Sequence, residues 1–185
     1  MKYYRYLDLD HTDVCEKLKK YVIENIGITE NFWMFLDTTK ILNTFPEIQV
    51  MFNPLNITIK QISLITTRNT SIKDDIHIDH ADCNVRINIP IMNCERSVTN
   101  FYSSNTAPQK FSLNTGVAPQ KLSLNTDVSY YQFNYNDCRL TETFCLDKPA
   151  ALKIREPHQV IANKQYLPRI SCTIEFFENI EYLID

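Results

Sequence analysis

Apolar residues are spaced differently in the first third of the chain and in the rest of it. Val14, Leu18, Val22 and Ile26 recur at helical intervals, which predicts an amphipathic helix. Asp13-Val14-Cys15-Glu16 resembles a capping box at its start, and Gly27 is a natural stop at its end. The next apolar block, NFWMFLDTTKILNTFP (31–46), predicts one or two short helices ending before Pro46. After Pro54 the period shortens. ITIKQISLITT (57–67) is β-branched with partial alternation, as a strand requires. IHIDH, VRINIPIM, SVTNFYSS, VSYYQFNY, ALKI, HQVIAN and RISCTIEFF follow as short strand candidates. Many short strands with no long helix between them predict an antiparallel sandwich or barrel. The expected fold is therefore mainly β with N-terminal helices. The 185 residues fit a single domain, 1–185, with 1–56 as helical support.

One segment breaks this pattern. APQKFSLNTGV (107–117) is followed directly by APQKLSLNTDV (118–128). The two copies differ only at Phe111/Leu122 and Gly116/Asp127, so a short unit has been duplicated in tandem. Two copies are too few for a solenoid. A loop or hairpin insertion is expected, and lengthening a surface loop costs little closure entropy.

Composition narrows the function. A formal charge of −3 argues against general nucleic-acid binding, which draws its affinity from a basic surface. The only two glycines, Gly27 and Gly116, cannot build a glycine-rich phosphate loop, so nucleotide chemistry by that route is excluded. The chain has no apolar run of membrane-spanning length, and MKYYRYLDLDH lacks a signal-peptide core, so a cytoplasmic location is expected. Six scattered cysteines with no C-x-x-C are expected to be reduced thiols.

The candidate chemistry lies in three short motifs. On a strand, His77 and Asp79 of HID share one face, with Ile76 and Ile78 on the other. A polar side opposite isoleucines makes sense if the polar side lines an interior. His158 is the natural third ligand. Two histidines and one carboxylate on one face of a metal leave the opposite positions open, which suits non-haem Fe(II). His80-x-Asp82 overlaps the first pair as an alternative. The alternation within DDIHID favours His77 and Asp79, leaving His80 or Asp82 a possible substrate contact. Arg169 and Ser171 share the next strand's face, where a guanidinium fork and a hydroxyl could clamp a carboxylate. An internal ion pair is the structural alternative for Arg169. The aromatics Tyr102, Tyr130, Tyr131, Phe133 and Tyr135, with Trp33 and Phe35, are assigned to packing.

Together these motifs resemble the Fe(II)/2-oxoglutarate-dependent oxygenases, whose pattern is H-x-D, a distal His and Arg-x-Ser. The segment HIDHADCNVRINIPIMN (77–93) is similar to the aspartyl/asparaginyl β-hydroxylase-like branch and its small phage and bacterial relatives. There the interval from histidine to an R-x-h-x-P-like strand matches His77 to Arg86–Pro90. Two positions depart from that branch: Asp79 stands where its animal members lack a carboxylate, and Asn88 where they carry a histidine. The resemblance implies a double-stranded β-helix (jelly roll, cupin-like) core over 57–177. It implies Fe(II), 2-oxoglutarate as a small-molecule cosubstrate, and O2. It also implies a distal carboxylate held by Arg169 and Ser171, with Arg86 or Asn88 steadying the proximal end. The expected outcome is hydroxylation of a protein side chain or small metabolite. Two rivals are a cupin-like enzyme of another class, such as an isomerase, and a non-enzymatic jelly-roll binding protein.

Overall fold

The computed structural model describes residues 2–26, 32–67, 76–79, 82–113 and 128–185, with backbone alone at 32, 111–113 and 128–130. Its strands are β1 (Tyr4–Tyr6), β2 (Phe32–Phe35), β3 (Ile59–Thr67), β4 (Ile76–Asp79), β5 (Val85–Met92) and β6 (Ser97–Ser104). They continue as β7 (Gln109–Leu113), β8 (Val128–Phe133), β9 (Cys138–Phe144), β10 (Ala150–Lys153), β11 (His158–Ala162) and β12 (Arg169–Phe176). The described strands form two antiparallel sheets, ordered β1-β10-β5-β12-β3-β2 and β7-β8-β4-β11-β6-β9. From β3 onward, with the β7–β8 pair set aside, the chain crosses between the sheets at every step except β6 to β9, which are antiparallel neighbours in the second sheet. The result is a jelly roll, as the sequence led one to expect.

The first sheet explains where the helices go. On β5, Val85, Ile87, Ile89 and Ile91 are buried on one face, while Arg86 and Asn88 take the other. On β12, Ile170, Cys172, Ile174 and Phe176 line the first face, while Arg169, Ser171, Thr173 and Glu175 take the second. A register shift at Glu175/Phe176 sets Phe176 opposite Ile59 and keeps both in the core. The aliphatic face is covered by α1 (Thr12–Asn25), α2 (Thr38–Thr44) and α3 (Glu47–Phe52), through Val14, Leu18, Val22, Ile41, Ile48 and Phe52. Each such side chain contributes about 1.5–3 kcal/mol on burial. The polar face turns inward, toward the second sheet.

Several local expectations are corrected. α1 begins at Thr12 with His11 as N-cap, so Asp13 is not the cap; it lies in the first turn and pairs with Lys17 at 2.7 Å. Gly27 lies outside the described residues. The aromatic half of 31–46 is strand β2, because Phe32–Phe35 pairs with Thr66–Ser63 at the edge of the first sheet. The helical half begins after Asp37, whose carboxylate caps the Lys40 N–H at 3.0 Å. Of the duplicated segment, Gln109–Leu113 forms β7 and pairs with β8, while residues 114–127 lie outside the described residues. Among the described residues, asparagine serves at the non-glycine left-handed positions, Asn56 and Asn93, a conformation its short polar side chain tolerates. Among the described residues no helix is long and apolar enough to cross a membrane.

All six cysteines are free thiols. Burial pushes the Cys172 thiol up to about 12, and burial with the neighbouring Cys94 and Glu16 does the same for Cys15. Thiolate is the reactive form. Iodoacetamide at pH 8 should therefore leave both unmodified in the folded chain, as read by peptide mass spectrometry; rapid alkylation of Cys172 would contradict this packing. Leu18→Ala, removing a fully buried leucine between α1 and the first sheet, should cost about 2–5 kcal/mol in urea unfolding.

Candidate metal centre

The polar inward faces meet around β4 and β11. These strands are antiparallel neighbours, and the register sets His77 directly opposite His158. Alternation on β4 then brings Asp79 to the same side as His77, while Ile76 packs outward with Tyr102 and Phe133. One ligand atom from each of His77, Asp79 and His158 lies within 4.8 Å of the others. The two imidazole rings are 4.5 Å apart between centroids. Asp79 Oδ1 is 3.6 Å from His77 Nε2 and 4.0 Å from His158 Nε2. His158 Nδ1 lies 2.9 Å from the Glu156 carbonyl. A carbonyl only accepts, so Nδ1 carries a hydrogen, and Nε2 is the ring nitrogen that faces Asp79.

The inward face of the first sheet supplies the remaining charge. Arg86, 2% exposed, donates through Nη1 to Asp79 Oδ2 at 2.9 Å and through Nη2 to Glu175 Oε1. Its guanidinium carbon sits 4.9 Å from the centre of the Trp33 ring. Trp33 in turn stacks on Phe35 at 5.8 Å. Asn88 is two residues along from Arg86, and among the described residues its buried Oδ1 has no hydrogen-bond partner.

Arg169 lies further along the same face, also 2% exposed. Its Nε donates to Ser97 Oγ of β6 at 2.9 Å, and its Nη1 to Ser171 Oγ at 3.2 Å. Among the described residues it meets no carboxylate, so the internal ion pair weighed from the sequence is not found there. A buried guanidinium without a carboxylate partner is costly, and an anionic ligand would relieve that cost.

The donor set fits a divalent ion of the Fe(II) type. It offers two imidazoles and one carboxylate from one direction, with a carboxylate-seeking guanidinium on the facing sheet. Of the overlapping alternative, His80 lies outside the described residues. Asp82 is exposed, sits 3.8 Å from Lys60 and is not one of the three converging ligands. His11 bonds the Leu9 carbonyl near the start of α1 and takes no part.

Glu175 and Trp33 belong to this assembly and were not foreseen. The alternation of RISCTIEF carried a signal for Glu175, which falls on the face of Arg169 and Ser171. For Trp33 the aromatic run suggested only packing, and its place depends on β2 joining the sheet edge.

No protein-family model matches the chain, and no curated protein matches it by sequence. Over its whole length the chain is similar in structure to a protein described as the epimerase SnoN in complex with Fe3+, alpha ketoglutarate and nogalamycin RO. The match has a TM-score of 0.50 at 14% identity and covers 85% of that chain. A second structure, the non-heme alpha ketoglutarate dependent epimerase SnoN from nogalamycin biosynthesis, matches the whole chain at a TM-score of 0.45 and 14% identity, covering 84% of its own length. At this identity the first likeness is one of fold, and it agrees with the jelly roll described above.

Because Ser97 ties Arg169 to the second sheet, Ser97→Ala should destabilise the chain by about 1–3 kcal/mol. Urea unfolding checks this, and an unchanged midpoint would show that the contact contributes nothing.

Proposed function

We propose that the chain is a non-haem Fe(II)- and 2-oxoglutarate-dependent enzyme, acting as a hydroxylase on a protein side chain or small metabolite. One observation carries the proposal: His77, Asp79 and His158 converge in the same interior that holds a buried Arg169, which meets no carboxylate among the described residues. The solved fold neighbour whose description includes Fe3+ and alpha ketoglutarate supports it. Bound Fe(II) would supply O2-dependent oxidation of a C–H bond, coupled to decarboxylation of 2-oxoglutarate to succinate.

The chain's own residues have separable tasks. His77, Asp79 and His158 hold the ion from one side and leave the other side for ligands. The Glu156 carbonyl fixes the His158 ring. Arg169 and Ser171 bind the far carboxylate of 2-oxoglutarate through a charge-assisted hydrogen-bonding fork. Asn88 offers its amide at the nearer end. The surrounding sheets exclude bulk water, which strengthens each of these interactions. The second reading, favoured by the epimerase in the neighbour's description, is that the same centre inverts a carbon instead of hydroxylating it.

Anaerobic titration of the metal-free protein with Fe(II) and 2-oxoglutarate tests the proposal. A visible iron-to-ketoacid charge-transfer band is expected. It should vanish in His77→Ala and His158→Ala. In Arg169→Met the 2-oxoglutarate needed to reach it should rise about tenfold or more, since hydrogen bonds to charged groups contribute ~1.5–3 kcal/mol. A folded, iron-loaded wild type without the band would sink the proposal.

A further inference from the structure

We infer that Arg86 is a positioning residue that keeps Asp79 a one-oxygen metal ligand, an inference resting on the metal centre proposed above. The two oxygens of Asp79 keep different company. Oδ1 faces both imidazoles, at 3.6 and 4.0 Å, whereas Oδ2 accepts from Arg86 at 2.9 Å. A carboxylate free to rotate could present both oxygens to an ion. With Oδ2 engaged by a buried guanidinium, only Oδ1 is presented.

Arg86 is itself fixed from two sides. Glu175 takes its other terminal nitrogen, and its guanidinium carbon lies over the Trp33 ring. Arginine is suited to this task because its fork can serve two carboxylates at once while its face stacks on an indole. The consequence is a count of positions. In six-fold coordination, two histidines and one carboxylate oxygen leave three, enough for a two-point ketoacid and one further ligand. A chelating Asp79 would remove one of them. Arg86 thus acts on the centre through Asp79, with both terminal nitrogens taken by carboxylates.

Co(II) titration of the full metal-free chain, followed by visible absorption, tests this without turnover. Arg86→Gln should lower Co(II) affinity about tenfold to a hundredfold, the range for losing a partner of a metal ligand. It should also change the band shape and intensity as Asp79 takes up a second contact. Arg86→Lys keeps the charge but cannot fork, so it should restore part of the affinity and part of the wild-type spectrum. If the Gln variant does not fold, the Lys variant carries the test alone. Folded variants that match the wild type in both affinity and spectrum overturn the inference, even if their melting temperatures fall. Wild type that binds Co(II) no better than His77→Ala fails differently: it removes the centre itself, and this inference with it.

Discussion

An ion pair between Asp79 and Arg86 joins the two sheets at the point where the candidate centre forms. Asp79 belongs to β4 in one sheet and Arg86 to β5 in the other, and both are buried. Leaving either charge unpaired there would cost several kcal/mol. The pairing therefore constrains how the sheets face each other. That in turn sets where Asp79 Oδ1 meets the imidazoles of His77 and His158. Glu175 extends the network, and the Ser97 hydroxyl on Arg169 repeats the cross-sheet link at a second point.

The polar interior has a structural consequence on the other side of the first sheet. β5 and β12 spend their inward positions on Arg86, Asn88, Arg169, Ser171 and Glu175, so their aliphatic residues must be buried outward. That outward face would be exposed without α1, α2 and α3. The N-terminal helices are thus needed because the interior is committed to chemistry. A second apolar cluster, with Phe101, Phe144, Leu146 and Leu152, packs beside the polar site, Leu152 opposite Arg86 and Phe101 opposite His158 in the strand registers. The His158 ring lies 6.0 Å from Phe101 at its border.

The sequence made the strands from β3 onward legible wherever alternation was strong, and the metal set legible because His77 and Asp79 fall two apart on a strand. His158 was legible as a residue type, but its place opposite His77 follows from strand register, which no local pattern encodes. β2 was misread because Phe32–Phe35 runs apolar without a break, and such a run has no period of its own. β9 escaped notice because CRLTETF is largely exposed and polar on both sides. Arg86 was recognised as a residue of the site. Its pairing with Asp79 and Glu175 depends on which sheets face each other, as does the contact with Trp33.

The central claim is that His77, Asp79 and His158 hold one metal ion facing a carboxylate site at Arg169. The most direct measurement is anomalous diffraction at the iron edge, from crystals grown anaerobically with Fe(II) and 2-oxoglutarate. The account predicts a single peak bonded to His77 Nε2, Asp79 Oδ1 and His158 Nε2, with the far carboxylate of the ketoacid on Arg169 and Ser171. A peak elsewhere, or an ion at the three ligands with the ketoacid turned away from Arg169, would contradict it.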